Sequence, residues 1–139
     1  MNYRDEKEIH EAINAADGAL LALRDAQKSL SDAGGWGLWD MFGGGFLSTM
    51  LKHNKMDQAK REIAEAQKAL NRFKNELADL GQSIDLNIDL SGFLRFADYF
   101  FDGFLADVMV QSKISEAKNK VGQAISMVED IKSRLWRML

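Results

Sequence analysis

Most of the residues whose types and spacing could support chemistry fall between positions 34 and 57. His53 and Asp57 are four residues apart on a segment that reads as helix, with Lys52 beside them. Side chains at that spacing share a face, so the pair could bind a ligand or orient an imidazole. A zinc site needs at least a third protein ligand, and His10, the only other histidine, belongs to a different predicted helix. A catalytic His-Asp pair would need a nucleophile that nothing in the sequence marks. The simpler reading is a helix-surface pair contributing a few tenths of a kcal/mol, so no catalytic residue, no metal and no cofactor is assigned.

The second group precedes it. Gly43-Gly44-Gly45 stands just before a predicted helix and could offer backbone N–H groups to a phosphate or carboxylate. It lacks the spacing of a phosphate-binding loop, and no strand leads into it. Close packing of glycine backbone against Trp36, Trp39 or a Phe-rich segment explains it more simply. Asp40, between Trp39 and Met41, could be a binding carboxylate, an N-cap or an acceptor for a tryptophan N–H. Trp36, Trp39, Asp40, Gly43, Gly44, Gly45, Lys52, His53 and Asp57 are therefore the candidate ligand- or partner-binding residues.

These residues must be positioned by helices. The chain of 139 residues has no proline, and outside the Gly-rich stretch it is dominated by Ala, Leu, Lys, Glu, Gln and Arg, the residues that lose least on entering a helix. An all-α single domain over residues 1–139 follows. Helix 1 is predicted from about Arg4 to Leu30, with Ile9, Ile13, Ala16, Leu20, Leu23 and Leu30 at 3-4 spacing broken only at Gln27. Gly18 lies inside it, and Ser31 to Gly35 supplies the glycine and polar punctuation expected of a helix end. Helix 2 carries Met56, Ala59, Ile63, Ala66, Leu70, Phe73, Leu77 and Leu80 in unbroken 4-3 alternation and is predicted to stop near Leu80, with Gly81 as its cap. Gln82 to Ser91 alternates like a strand but has no partner strand, so it reads as an extended connection laid on the bundle. Helix 3 opens near Gly92 with Ser91 as a candidate N-cap, and its second half repeats the seam through Val110, Ile114, Ala117, Val121, Ala124, Val128, Ile131, Leu135 and Met138.

Three matching stripes predict an antiparallel three-helix bundle with coiled-coil-like seams, packed up-down-up. A repeat adds detail: shifted by 58 positions, Asp40 to Leu77 aligns on Asp98 to Leu135 with 11 of 38 identities. Two heptad helices in phase would share seam residues anyway. The D-x-F-x-x-G-F-L match lies outside the seam and carries the case for an internal duplication. It also puts a bend near Asp102-Gly103 and a short fourth helix over about residues 92–102. Arg95, Asp98 and Asp102 occupy one narrow stripe of that segment, so the rest of its surface is expected to be buried, in an aromatic cluster with Trp36, Trp39, Phe42 and Phe46 that closes one end of the bundle.

Composition excludes several classes. Without cysteine there is no disulfide framework and no thiolate metal site. A net charge of −3 has the wrong sign for phosphate neutralisation, so no nucleic-acid partner is expected, and Lys132, Arg134 and Arg137 read as a solvated helix end. The apolar run from Phe93 to Val110 is interrupted by Arg95, Asp98, Asp102 and Asp107, so no integral membrane contact is expected. The charged N-terminus lacks the apolar core of a signal peptide, which points to a cytoplasmic protein.

A helical hairpin with a Trp36-Gly37 turn near residue 40 resembles the small WXG proteins exported by type VII secretion systems, over at most the first 80 residues. No residue separates Trp36 from Gly37, and neither Trp36 nor Trp39 has glycine two places on, so the motif that names the family is absent and membership is not assigned.

The expected function is that of a non-enzymatic helical interaction or scaffold protein, with a protein partner or a second copy as its target. The alternative is a ligand-binding or catalytic helical domain using the Trp/Gly-rich end, from Trp36 to His53. Replacing Trp39 with alanine separates packing from binding: a binding role predicts lost partner binding at an unchanged thermal midpoint, and a packing role predicts a lowered midpoint.

Overall fold

A computed structural model describes the backbone of residues 2–41, 46–84, 86, 90–102 and 114–139, and the side chains of 2–31, 58–84, 86, 90–98 and 116–139. These residues form α1 (Tyr3–Met41), α2 (Phe46–Ser83), α3 (Ser91–Asp102) and α4 (Ile114–Arg137), with no strand among them. The fold is an all-α bundle, and the short helix expected over about 92–102 is α3.

Asn2 caps α1. Its side-chain oxygen accepts from the Asp5 N–H at 2.8 Å and its carbonyl from the Glu6 N–H at 3.1 Å, satisfying two donors that a bare helix start would leave open. Asp5 and Glu6 in the first turn suit the positive end of the helix dipole. The other end departs from expectation. Instead of stopping near Leu30, α1 continues through Gly34, Gly35 and Gly37 to Met41. Glycine in a helix costs about 1 kcal/mol against alanine but does not terminate it, and the longer α1 matches the length of α2, which begins again at Phe46. At 1.5 Å per residue both helices are roughly 57 Å long.

Where the side chains are described, the predicted seams are the core; those of Met56, Val110 and Ile114 lie outside the described residues, and Met138 is partly buried. On α2, Ala59, Ile63, Ala66, Leu70, Phe73, Leu77 and Leu80 are all buried; on α4, so are Ala117, Val121, Ala124, Val128, Ile131 and Leu135. Each forms the narrow stripe of a coiled-coil-like helix. The buried face of α1 is wider. Besides the expected Ile9, Ile13, Ala16, Leu20, Leu23 and Leu30 it buries Ala12, Ala15, Ala19 and Ala26. The cause is its position, because α1 packs against both α2 and α4 while, among the described residues, those two do not approach each other.

The Ser29 hydroxyl donates to Glu62 Oε2 at 2.5 Å, and the Gln58 amide donates to the other Glu62 oxygen at 3.2 Å. This sets the antiparallel register of α1 and α2. Ala12, Ala16 and Ala19 come level with the bulky Leu80, Leu77, Phe73 and Leu70, whereas Leu23 and Leu30 come level with Ala66 and Ala59. In the same register Ile13 and Leu20 come level with Leu77 and Leu70, so small-to-large and large-to-large layers both occur along the hairpin. The α1 and α4 partners also run in opposite order, Asp17 with Lys132 and Arg24 with Glu129, so α4 is antiparallel to α1. The up-down-up order of the three long helices is thereby corrected. The short α3 lies against α2 through Phe73 with Phe93 (5.6 Å between centroids) and Lys74 with Asp98 (2.7 Å). With α3 also touching α4, neighbouring helices close a ring of contacts among the described residues, in which α4 runs antiparallel to α1.

Smaller boundaries shift as well. α2 runs to Ser83, three residues past Leu80, and Leu90 accepts the first helical bond of α3 from the Leu94 N–H at 2.8 Å, which makes Leu90 the cap position and Ser91 the first helical residue. The connection lies on the bundle as expected, with Leu86 buried and Ile84 and Leu90 packed against the core. Ile88 lies outside the described residues. On α3, Phe93 and Ala97 are buried but Arg95 and Asp98 stay exposed, so burial is one-sided over residues 91–98 because only two neighbouring helices cover it. Gln27, the break in the α1 seam, lies over Gly122 of α4, where a Cβ would stand 3.7 Å from Gln27 Nε2; the missing side chain makes room for the amide.

Gly18 has no such reason. It is exposed, and nothing stands within 4 Å of where its Cβ would be. Gly18→Ala is expected to raise stability by about 0.5–1 kcal/mol in urea unfolding, and a loss of stability would mean that the helix is not regular there.

Candidate functional site

The structure puts Trp36, Trp39 and Asp40 on the last turns of α1 and Lys52, His53 and Asp57 on α2. Their side chains, and Gly43, Gly44 and Gly45 entirely, lie outside the described residues, as do Phe42 and, in the second copy of the repeat, Gly103, Phe104 and Leu105; of Phe46 and Leu47 only the backbone is described. His10 of α1 is not near any of them. It packs edge-on against Trp136 of α4, at 5.9 Å and 85°. Among the described residues no three His, Asp or Glu side chains gather as a metal site would require.

A different candidate emerges between α1 and α4. Asp17, Leu20, Leu21 and Arg24 from α1 and Glu129, Lys132, Ser133 and Trp136 from α4 line an open groove of about 420 Å³. Helical spacing puts them there: Asp17, Leu21 and Arg24 repeat at four and three on the edge of the α1 face that meets α4, and Glu129, Lys132 and Trp136 repeat at three and four on the facing edge of α4. The floor is Leu20, a core residue.

Two ion pairs bridge the groove, Asp17 with Lys132 and Arg24 with Glu129, both at 2.5 Å. Between and beside them two large apolar side chains reach solvent, Leu21 at 66% exposure and Trp136 at 51%. Apolar anchors set among paired charges on a shallow groove suit a macromolecular contact. An enclosed small-molecule site would bury most of its ligand, which this open groove does not.

The tryptophan of this groove, Trp136, is not one of those that stand out by composition in the sequence. The available signal was position. Leu21 falls outside the α1 stripe and Trp136 directly follows the seam residue Leu135, so neither can point into the core when its neighbour does.

The paired charges are half-exposed, and such pairs contribute little to folding. Asp17→Asn and Glu129→Gln should each cost less than about 1 kcal/mol in urea unfolding of dilute protein, with the difference shrinking at high salt. A cost well above that, independent of salt, would show that the groove is desolvated. Compared with known protein families, with curated proteins and with solved structures, the chain shows no match.

Proposed function

We propose that the chain is a non-enzymatic helical interaction or scaffold protein, acting in the cytoplasm, whose contact face is the α1–α4 groove. The observation that carries this reading is the exposure of Leu21 and Trp136. Four large apolar side chains are exposed among the described residues, Tyr3, Leu21, Trp136 and Leu139, and of these Leu21 and Trp136 line one groove. Tryptophan is the residue most enriched at the energetic centres of protein interfaces, and it supplies a large rigid apolar area with few torsions to freeze.

The described residues support no transport across or through a bilayer by a helix, since no helix among them is long and apolar enough to cross a membrane. A buried core extends along the bundle, so the groove rides on a scaffold that does not depend on it.

A photo-crosslinking residue placed at Trp136 tests this in cells expressing the chain. A discrete protein adduct is expected there and not from the same residue at Lys68, whose side chain is 75% exposed on α2. Absence of any adduct at Trp136, or equal adducts at both positions, would overturn the assignment of this face.

A further inference from the structure

We infer that the groove binds a second copy of this chain, through a two-fold axis that crosses α1 at Leu21 and sets the two α1 helices antiparallel. This rests on the interaction-face reading above and names the partner.

The argument comes from the order of the charges. Going up α1, Asp17 is followed seven residues later by Arg24, about 10 Å further along the axis. On α4 Lys132 reaches Asp17 and Glu129 reaches Arg24. The four groups form a four-cornered array of alternating sign, longer along the helices than across the groove, with Leu20 and Leu21 between Asp17 and Arg24 on its α1 side. A two-fold axis across the helices at that height brings Asp17 of one copy over Arg24 of the other, and Lys132 over Glu129. All four contacts are attractive, and Leu21 meets Leu21 on the axis. An arbitrary surface is not complementary to itself in this way; a closed isologous dimer requires it.

Each copy carries a net −3, which opposes association of any two copies, but the groove lining, with two acids and two bases, adds no net charge to that repulsion.

The test exchanges the partners of one ion pair. In the D17K/K132D double variant the bridge inside the chain persists with its ends reversed, so thermal unfolding of dilute protein should be unchanged. Across the proposed axis, however, every charge now faces its own sign. Sedimentation from low micromolar to near-millimolar concentration should show a dimer for the parent chain, dissociation at least about tenfold weaker in affinity for D17K/K132D, and a restored dimer when R24E and E129R are added. Leu21→Glu should also dissociate it.

A parent chain that stays monomeric over the whole range overturns the inference, and so does a dimer unaffected by D17K/K132D, which would place the axis or the face elsewhere. The crosslink at Trp136 separates this failure from that of the underlying reading. An adduct of twice the chain mass supports both. An adduct with another protein on a monomeric chain removes the second copy and keeps the face, and no adduct removes both.

Discussion

The bundle depends on how closely its helices can approach α1. That helix has a long neighbour on each side, and its buried face spans Ala12, Ala15, Ala16, Ala19 and Ala26 as well as the leucines and isoleucines. Alanine at these positions lets two backbones come near without leaving voids, and the bulk needed to fill each layer is supplied from across the interface by Leu70, Phe73, Leu77 and Leu80. Enlarging any one of these alanines would push a neighbour outward. Truncating a facing residue would open a cavity, at about 3–5 kcal/mol for a fully buried phenylalanine such as Phe73.

That dependence explains which parts of the fold were legible. The α2 and α4 seams could be read residue by residue because each helix buries a stripe narrow enough for its period to stand out against charged neighbours. The width of the α1 face could not. Alanine is as good a helix former on a surface as in a core, so Ala12, Ala15, Ala19 and Ala26 carry no sign of which they are. The end of α1 was misread for a related reason: glycine lowers helix propensity locally, but the length of a helix within a hairpin is set by the partner it lies against. Up-down-up packing failed because α4 runs antiparallel to α1, Asp17 with Lys132 and Arg24 with Glu129, after an extra helix of 12 residues that packs Phe93 on Phe73 and pairs Asp98 with Lys74.

The candidate groove was less legible still. A wide buried face on α1 leaves a correspondingly narrow exposed one, and Leu21 stands on it one helical turn from Asp17 and from Arg24. From sequence, Leu21 reads as one more leucine in a leucine-rich helix. Only when α4 is known to run antiparallel does Lys132 come beside Asp17 and Glu129 beside Arg24, and the alternating array exists in no shorter stretch of chain. Had α4 run parallel to α1, the same four residues would have been ordered differently along the groove.

The residues that hold the bundle and those that frame the groove are thereby different ones. The residues that hold the bundle are apolar, buried and spaced by the heptad; those that frame the groove are half-exposed ion pairs whose contribution to folding is small. Weak pairs at a surface strengthen when a second surface removes water from them, since their attraction rises as the local dielectric falls. Desolvation opposes that gain, and it is offset only where each charge meets opposite charges on both sides. In the α1–α4 groove each charge has one such partner within its own chain, and the proposed two-fold arrangement adds a second. Pairs that add little to the fold are thus the ones that would set the register of that proposed interface.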